Sequence, residues 1–408
     1  MTPAPPVPPG SSEAPLAPDP AGCSTAPAAV PSGPDFRHLV RLSDDTGLFE
    51  HARHAVARRQ HGYCTDDVAR GLVVASREPS PSPEVHRLAE RYLAFLTHAQ
   101  DDSGAFRNRL SYDRRWSDEP GLGDWWGRAL WGLGTAAVRD PARWIREEAM
   151  MAFTLGATRR SPHPRAMVFA GLGAAEVLRA HPDSAPAAAL LSDAALAVGP
   201  PPDDPDWPWP QPELTYANAA LAEVLISAGH LGGDGRTLAA GLRMLAWLGE
   251  VQTTGGRFSV VPVSGWRRGG PRDRYDQQPI EPAALADAFA VAEAVTGDPV
   301  WRAGVWRAVA WFRGVNDGGA VMWDAATGGG HDGLTPYGPN LNQGAESTIA
   351  FISTMQHAER LRAAGHSPEA GLPRQGGRPR HGDAVPGEGA RQDARRAGGP
   401  PLGRAETP

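Results

Sequence analysis

Six short polar or aromatic clusters along this chain each stand directly before a helix-forming run of small apolar residues. The runs cover residues 68–75, 129–137, 166–178, 217–228, 283–295 and 348–355. Small side chains and few charges predict helices that pack against neighbours on both sides. Six helical hairpins closed into a ring would place the starts of all six inner helices around one central cavity, where a site can be built.

Six other segments lie between these runs and have a more amphipathic, charge-bearing pattern, which is typical of helices with one face in water. We predict outer helices at residues 36–58, 82–100, 141–155, 185–198, 235–252 and 300–315. The best strand signal, at residues 256–263, indicates only a short hairpin or an extended loop. The sequence therefore predicts an all-α fold, an (α/α)6 toroid of six helical hairpins with irregular loops at the cavity mouth.

The composition separates one large domain from two tails. Residues 1–35 are dominated by Pro, Ala and Ser, and residues 366–408 by Gly, Pro, Arg and Ala. Such segments bury too little apolar surface to offset the entropy lost on ordering, so we expect both tails to be disordered. The toroid is predicted to occupy residues 36–365.

Charge and residue usage exclude several classes of function. The net charge of -6 gives no electrostatic surface for nucleic acid or for an anionic membrane. All 40 basic residues are arginine, which excludes a Schiff-base lysine, a pyridoxal phosphate enzyme and a P-loop. Because Cys23 and Cys64 are the only cysteines, a disulfide framework and a multi-cysteine zinc site are excluded, and we expect neither metal nor cofactor.

The N-terminal residues lack the pattern of a signal peptide, and no stretch approaches 18 uncharged apolar residues. We therefore expect a cytoplasmic protein that does not bind a membrane.

Carboxylates stand at the predicted starts of several inner helices. Asp66 and Asp67 are adjacent at the first start, where one can cap the helix and the other can serve as an acid, a base or a sugar ligand. Glu281 and Glu346 stand at the fifth and sixth starts, although a capping box or interhelical hydrogen bonds would also explain them. We predict these four as the catalytic carboxylates, with Asp124 at the second start in reserve.

Amide, aromatic and basic residues at the same starts could bind a sugar. Amides and sugar hydroxyls both donate and accept hydrogen bonds, and aromatic faces stack on the apolar faces of pyranose rings. Arginine at a cavity mouth could bind a carboxylate or phosphate, although packing and pairing explain such residues too. The predicted substrate-binding residues are Tyr63, Trp125, Trp126, Arg128, His163, Arg165, Tyr216, Asn218, Gln277, Gln278, Asn342 and Gln343. Trp131, which falls inside a helix, is assigned to the core.

Four motifs in this set resemble those of a known group: residues 63–70 (YCTDDVAR), 127–134 (GRALWGLG), 276–281 (DQQPIE) and 342–348 (NQGAEST). Together they resemble bacterial proteins of the six-hairpin glycosidase-like, (α/α)6-barrel group, which are often described as glycosyltransferase or glycosidase and accompany sugar-handling genes. The resemblance covers residues 36–362. Where the pattern of the group has Asn and Asp, this chain has Val68 and Ala217, so the expected cavity lacks two polar groups.

The resemblance and the carboxylates together predict a carbohydrate-active enzyme. Glycosidic cleavage ordinarily needs one protonated and one ionised carboxyl group, so the first hypothesis is a glycoside hydrolase that acts on a sugar or short oligosaccharide. The second is a non-catalytic sugar-binding or accessory protein that acts with a glycosyltransferase. Sugar epimerisation, with His163 and His331 as bases, and isoprenoid transfer are further alternatives.

Overall fold

Twelve α-helices alternate between an outer and an inner layer in the computed structural model, which describes residues 33–367. The outer helices are α1 (Arg37–Arg41), α3 (Pro83–Ala99), α5 (Arg143–Gly156), α7 (Ala185–Val198), α9 (Gly235–Val251) and α11 (Pro299–Phe312). The inner helices are α2 (Thr65–Ser76), α4 (Asp124–Arg139), α6 (Pro164–Ala180), α8 (Ala219–Leu231), α10 (Ile280–Thr296) and α12 (Ala345–Ala363). The predicted all-α toroid is confirmed, while most of both predicted tails lies outside the described residues.

The inner helices form a closed ring, because each packs on the next and α12 packs on α2. Nearly every residue of α2 and α6 is buried, whereas α3 and α5 bury only one face. This difference is what two-sided and one-sided packing require. Among residues 33–367, none of the helices combines the length and the apolar character needed to cross a bilayer.

Glycines allow α4 and α6 to pack backbone against backbone. A Cβ atom added to Gly134 would collide with the carbonyl oxygen of Gly173, and one added to Gly173 would collide with that of Leu130. The small residues of these two inner helices therefore set how closely they approach.

Short strands connect the segments that lead into the inner helices. The antiparallel pairs in the described chain are β1 (Ala52–Arg53) with β2 (Val56–Ala57), β3 (Tyr63–Cys64) with β4 (Arg109–Leu110), β5 (Glu213–Leu214) with β8 (Trp266–Arg267), β6 (Thr253–Thr254) with β7 (Arg257–Phe258), and β9 (Gly333–Thr335) with β10 (Gly338–Asn340). The β6–β7 hairpin overlaps the segment predicted to be extended. These pairs fix the loops at the end of the ring where the inner helices begin.

The first outer helix is much shorter than predicted. A helix over residues 36–58 is wrong, because α1 ends at Arg41 and the chain then turns into the β1–β2 hairpin. The Asp44 carboxylate accepts the backbone N–H of Thr46 at 2.8 Å and that of Gly47 at 3.2 Å. Such an Asx turn gives the backbone an alternative to the helix.

Candidate functional site

A central cavity is lined by residues from all six inner helices. Its walls are mainly apolar and include Trp131, Phe169 and Ile349. The cavity volume is about 50 Å³.

Three carboxylates share the guanidinium of Arg70 at the mouth. Arg70 Nη2 lies 2.5 Å from Asp67 Oδ1 and 2.8 Å from Asp66 Oδ1, and Nη1 donates to Glu346 Oε2 at 2.9 Å. The i, i+3 and i, i+4 spacing places Asp67 and Asp66 beside Arg70 on α2, and the packing of α12 on α2 brings in Glu346. The cluster thus joins the first and last inner helices of the ring.

The three carboxylates differ in their access to solvent. The exposed fraction of the side chain is 37% for Glu346, 21% for Asp66 and 5% for Asp67. Burial raises the pKa of Asp67 to about 8, and the neighbouring Asp66 adds to this, while Arg70 opposes it. Near neutral pH, Asp67 therefore holds a proton, which reduces the negative charge around the single guanidinium.

Glu281 is buried at the start of α10, and both of its carboxylate oxygens accept hydrogen bonds. The backbone N–H of Ala217 donates to Oε1, and Asn218 Nδ2 donates to Oε2 at 3.0 Å. Burial raises the pKa of Glu281 to about 7, against the effect of these bonds and of Arg165. Ala217 has a φ of 45°, in the left-handed region, and α8 begins after it at Ala219. Glu281 therefore stabilises a strained turn and does not line the cavity.

Arg128 lines the cavity from α4, and its side chain is only 5% exposed. The guanidinium carbon lies 3.6 Å from the centroid of the Phe169 ring. The nearest carboxylate oxygen, Oδ2 of Asp66, is 3.7 Å from Nε, beyond hydrogen-bond length. Within residues 33–367, none of the three guanidinium nitrogens makes a hydrogen bond, and Nε is shut off from solvent. This is unusual for a buried cation.

Arg165, at the start of α6, is buried and has only neutral hydrogen-bond acceptors. It donates to Thr215 Oγ1 at 2.8 Å and to the Ala217 carbonyl oxygen at 3.3 Å, and its guanidinium carbon lies 4.9 Å from the centroid of the Tyr216 ring. The Tyr216 hydroxyl donates to Asp124, and burial together with that carboxylate raises the pKa of Tyr216. These contacts bring the second, third and fourth predicted clusters together.

Four other predicted binding residues lie away from the cavity lining. Trp126 is fully buried in the core, and Tyr63 is buried and donates to Asp44 Oδ2 at 2.6 Å. Trp125 donates to a backbone carbonyl at 2.7 Å and borders a shallow surface pocket together with His163, which is exposed.

The predicted amides of the fifth and sixth clusters lie in the segments before α10 and α12; they are Gln277, Gln278, Asn342 and Gln343. Gln277 donates to Asp317 Oδ2 at 2.8 Å, and Gln343 donates to Asp324 Oδ2 at 3.1 Å. These two amides hold loops together, and none of the four lines the cavity.

Several cavity residues were not predicted to belong to the site. They include Arg70, Trp131, Phe169, Glu223 and Asp287. A charged residue inside an otherwise apolar inner-helix run is a signal that could have identified Arg70, Glu223 and Asp287. Glu223 makes no hydrogen bond or ion pair within the described part of the chain, and burial raises its pKa to about 8.

A second polar network lies beyond Trp131, toward the ends of the inner helices. Asp287 Oδ1 lies 2.8 Å from Arg77 Nη1 and 2.5 Å from His357 Nε2. The guanidinium carbons of Arg128 and Arg77 lie 5.7 Å and 5.6 Å from the centroid of the Trp131 ring. Trp131 therefore contacts Arg128 near the mouth and Arg77 in this second network, which we call the floor network.

Asp67 is one of three potential metal ligands that lie close together. One ligand atom each from Glu50, Cys64 and Asp67 lies within 4.8 Å of the other two. Glu50 is paired with Arg109, and the Cys64 thiol donates to Asn108 Oδ1 at 3.3 Å. Burial raises the pKa of the Cys64 thiol well above its usual range, so the thiol keeps its proton. A metal ion would have to displace these contacts.

Comparison with protein-family models and with curated proteins gives no match for this sequence. Solved structures do match. Cellobiose 2-epimerase from Bacillus thermoamylovorans has a TM-score of 0.62 and 11% identity, over 81% of this chain and 96% of that one. A GH76 α-mannanase from Bacteroides thetaiotaomicron has a TM-score of 0.56 and 13% identity, over 81% of this chain and 94% of that one.

An inactive variant of an α-1,6-mannanase from a Salegentibacter species, with two aspartates changed to asparagine and in complex with α-1,6-mannotriose, has a TM-score of 0.52 and 10% identity. The match covers 80% of this chain and 96% of that one. These proteins share the fold of this chain, and the predicted resemblance to six-hairpin glycosidase-like proteins is confirmed at that level.

Proposed function

We propose that this protein is a carbohydrate-processing enzyme that hydrolyses glycosidic bonds at the mouth of the toroid, with Asp66 and Glu346 as the reacting carboxyl groups. The observation that carries the proposal is the Arg70 cluster, which holds two solvent-accessible carboxyl groups from different helices on one guanidinium. Paired carboxyl groups of this kind are what glycosidic cleavage requires.

In the proposed reaction, one of the two carboxyl groups protonates the leaving oxygen while the other, ionised, attacks carbon or activates water. Arg70 positions both groups, because Asp66 Oδ1 lies 2.8 Å from Nη2 and Glu346 accepts a hydrogen bond from Nη1 of the same planar guanidinium. Because the buried Asp67 is protonated, the cluster has only about one negative charge in excess. Glu281, whose two oxygens are already bonded, would shape the mouth by holding the turn at Ala217.

The solved structures with this fold support sugars as the ligand class. They include a cellobiose 2-epimerase, a D-mannose isomerase and two mannanases. The inactive mannanase variant carries asparagine in place of two consecutive aspartates. Asp66 and Asp67 are a consecutive pair in this chain, so the corresponding double substitution is an informative experiment here.

The test is to assay Asp66→Asn and Glu346→Gln against a panel of aryl and alkyl glycosides. Each substitution should lower kcat by about 10² to 10⁴-fold, because it removes a proton donor or acceptor, and should leave the thermal unfolding temperature nearly unchanged. Glu148→Gln, on the exposed face of α5, is the matched control and should keep full turnover. Full turnover in both active-site variants would refute the proposed roles.

The same assay shows whether Asp66 or Glu346 is the general acid. An aryl leaving group of low pKa departs without protonation, so the variant that lacks the acid should retain turnover on aryl glycosides and lose it on alkyl glycosides. The variant that lacks the base or nucleophile should lose turnover on aryl and on alkyl glycosides alike.

Product analysis separates the proposal from the other functions. Release of reducing sugar supports hydrolysis, whereas saturable binding without any product indicates a sugar-binding protein. Conversion of one free sugar into another would indicate epimerisation. His163 is exposed in the surface pocket, and within residues 33–367 no histidine lines the cavity, so the structure gives that reaction no histidine base there.

A further inference from the structure

The cations on the two sides of the mouth differ in how they are paired. On the α2 and α12 side, Arg70 faces Asp66 and Glu346, with Asp67 protonated, which leaves about one negative charge in excess. On the opposite side, α4 and α6 contribute two buried guanidinium groups. Asp66 and Glu346 act on Arg128, Glu281 acts on Arg165, and Asp124 acts on both.

Arg128 and Arg165 are the cations of this second side, and neither has a carboxylate within hydrogen-bond length in the described chain. Asp124 influences both, but its carboxylate accepts the Tyr216 hydroxyl. Glu281 faces Arg165, and its charge is reduced by burial. Asp66 Oδ2, at 3.7 Å from Arg128 Nε, partly balances the Arg128 charge, but Arg128 lines the cavity and its hydrogen-bond donors are unused within the described chain.

We infer that the mouth selects a sugar that bears a carboxylate, a uronic acid residue, and that Arg128 binds this carboxylate. The inference rests on the proposed function, because it takes the mouth to be the sugar site. The carboxylate would supply the hydrogen-bond acceptors that Arg128 lacks, in a place where Phe169 and Trp131 exclude water and strengthen the interaction.

The unused donors of Arg128 suit a carboxylate. The guanidinium carbon lies 3.6 Å from the centroid of the Phe169 ring, and the planar guanidinium presents its donors as a fork of which a planar carboxylate matches two at once. Because a phosphate can also pair with such a fork, a sugar 6-phosphate is the competing ligand in the test.

Calorimetry can test the inference with methyl uronides in the gluco, galacto and manno series, each compared with the matching neutral methyl glycoside and with the sugar 6-phosphate. We expect one uronide to bind at least about 10-fold more tightly than its neutral counterpart. Arg128→Gln should weaken uronide binding by about 10- to 100-fold and change neutral-sugar binding little, because charge-assisted hydrogen bonds are lost.

Two further variants keep the test decisive if Arg128→Gln folds poorly. Arg128→Lys retains the charge but not the fork, and should recover only part of the preference. Arg243→Gln, on the exposed face of α9, should leave all affinities unchanged. Equal affinity for uronide and neutral glycoside, tighter binding of the 6-phosphate, or an undiminished preference in both Arg128 variants would overturn the inference.

The outcomes also separate this inference from the proposed function. Selective uronide binding by a wild-type protein that cleaves no glycoside would refute hydrolysis and leave the carboxylate site standing. Turnover of neutral glycosides without any uronide preference would support hydrolysis and refute the carboxylate site.

Discussion

The protonated state of Asp67 predicts how the stability of the protein changes with pH. The carboxyl group ionises near pH 4 in the unfolded chain and near pH 8 in the native protein, because burial disfavours its charged form. Its contribution is complete below about pH 4 and is lost as the pH rises through about 8. Within this window the free energy of unfolding should fall by about 1.4 kcal/mol per pH unit through this group alone.

Asp67→Asn isolates this effect, because asparagine resembles the protonated acid and cannot ionise. Between about pH 5 and pH 7, the wild type should lose roughly 3 kcal/mol of unfolding free energy that the variant does not lose. Glu281 and Glu223 have raised pKa values too, but they contribute equally to both proteins and cancel in the difference.

Urea denaturation at a series of pH values measures the difference directly, since the two curves of unfolding free energy against pH should diverge toward high pH. Glu148→Gln, which changes an exposed carboxylate, should run parallel to the wild type. If the Asp67→Asn curve also runs parallel, the native carboxyl group is ionised at neutral pH and the Arg70 cluster carries a third negative charge.

Other substitutions test the turn at Ala217, the floor network around Asp287 and the packing of α4 on α6. Glu281→Gln should keep kcat within about 10-fold of the wild type, because the residue supports the turn at Ala217 without reacting; a loss as large as that of Asp66→Asn would contradict this. Asp287→Ala leaves the Arg77 charge buried without its partner, and should cost about 3 to 5 kcal/mol in urea unfolding. Gly134→Ala forces α4 away from α6 and should cost about 1 to 3 kcal/mol, whereas Gly235→Ala, where the added methyl meets nothing, should be neutral or stabilising.

The inner helices were predictable because their signal is local. A run such as residues 283–295 carries small apolar residues at every turn, and α10 covers it completely. The helix over residues 36–58 failed for a local reason as well, since Asp44 diverts the backbone into a turn that its composition does not reveal. The neighbours Trp125 and Trp126 point in directions about 100° apart on α4, so one borders the surface and the other lies in the core.

The partners in the candidate site could not be predicted, because they depend on which helices meet. Asp66, Asp67 and Glu346 were recognised as carboxylates, but Arg70, which joins them, lies inside an apolar run. The hydrogen-bond donors of Arg128 are likewise unused because of the side chains that surround it, and the sequence around Arg128 does not reveal those side chains. Burial, which sets the pKa of Asp67, emerges only when the ring is complete.

The contact between Arg70 and Glu346 joins residues that are 276 positions apart in the chain. During synthesis, Asp66, Asp67 and Arg70 leave the ribosome long before α12 exists. A partly made chain can pair neighbouring hairpins, but it cannot complete the carboxylate cluster until α12 docks on α2. Recovery of activity during refolding should therefore lag behind the recovery of helical circular dichroism, and the lag would time the docking of the last helix on the first.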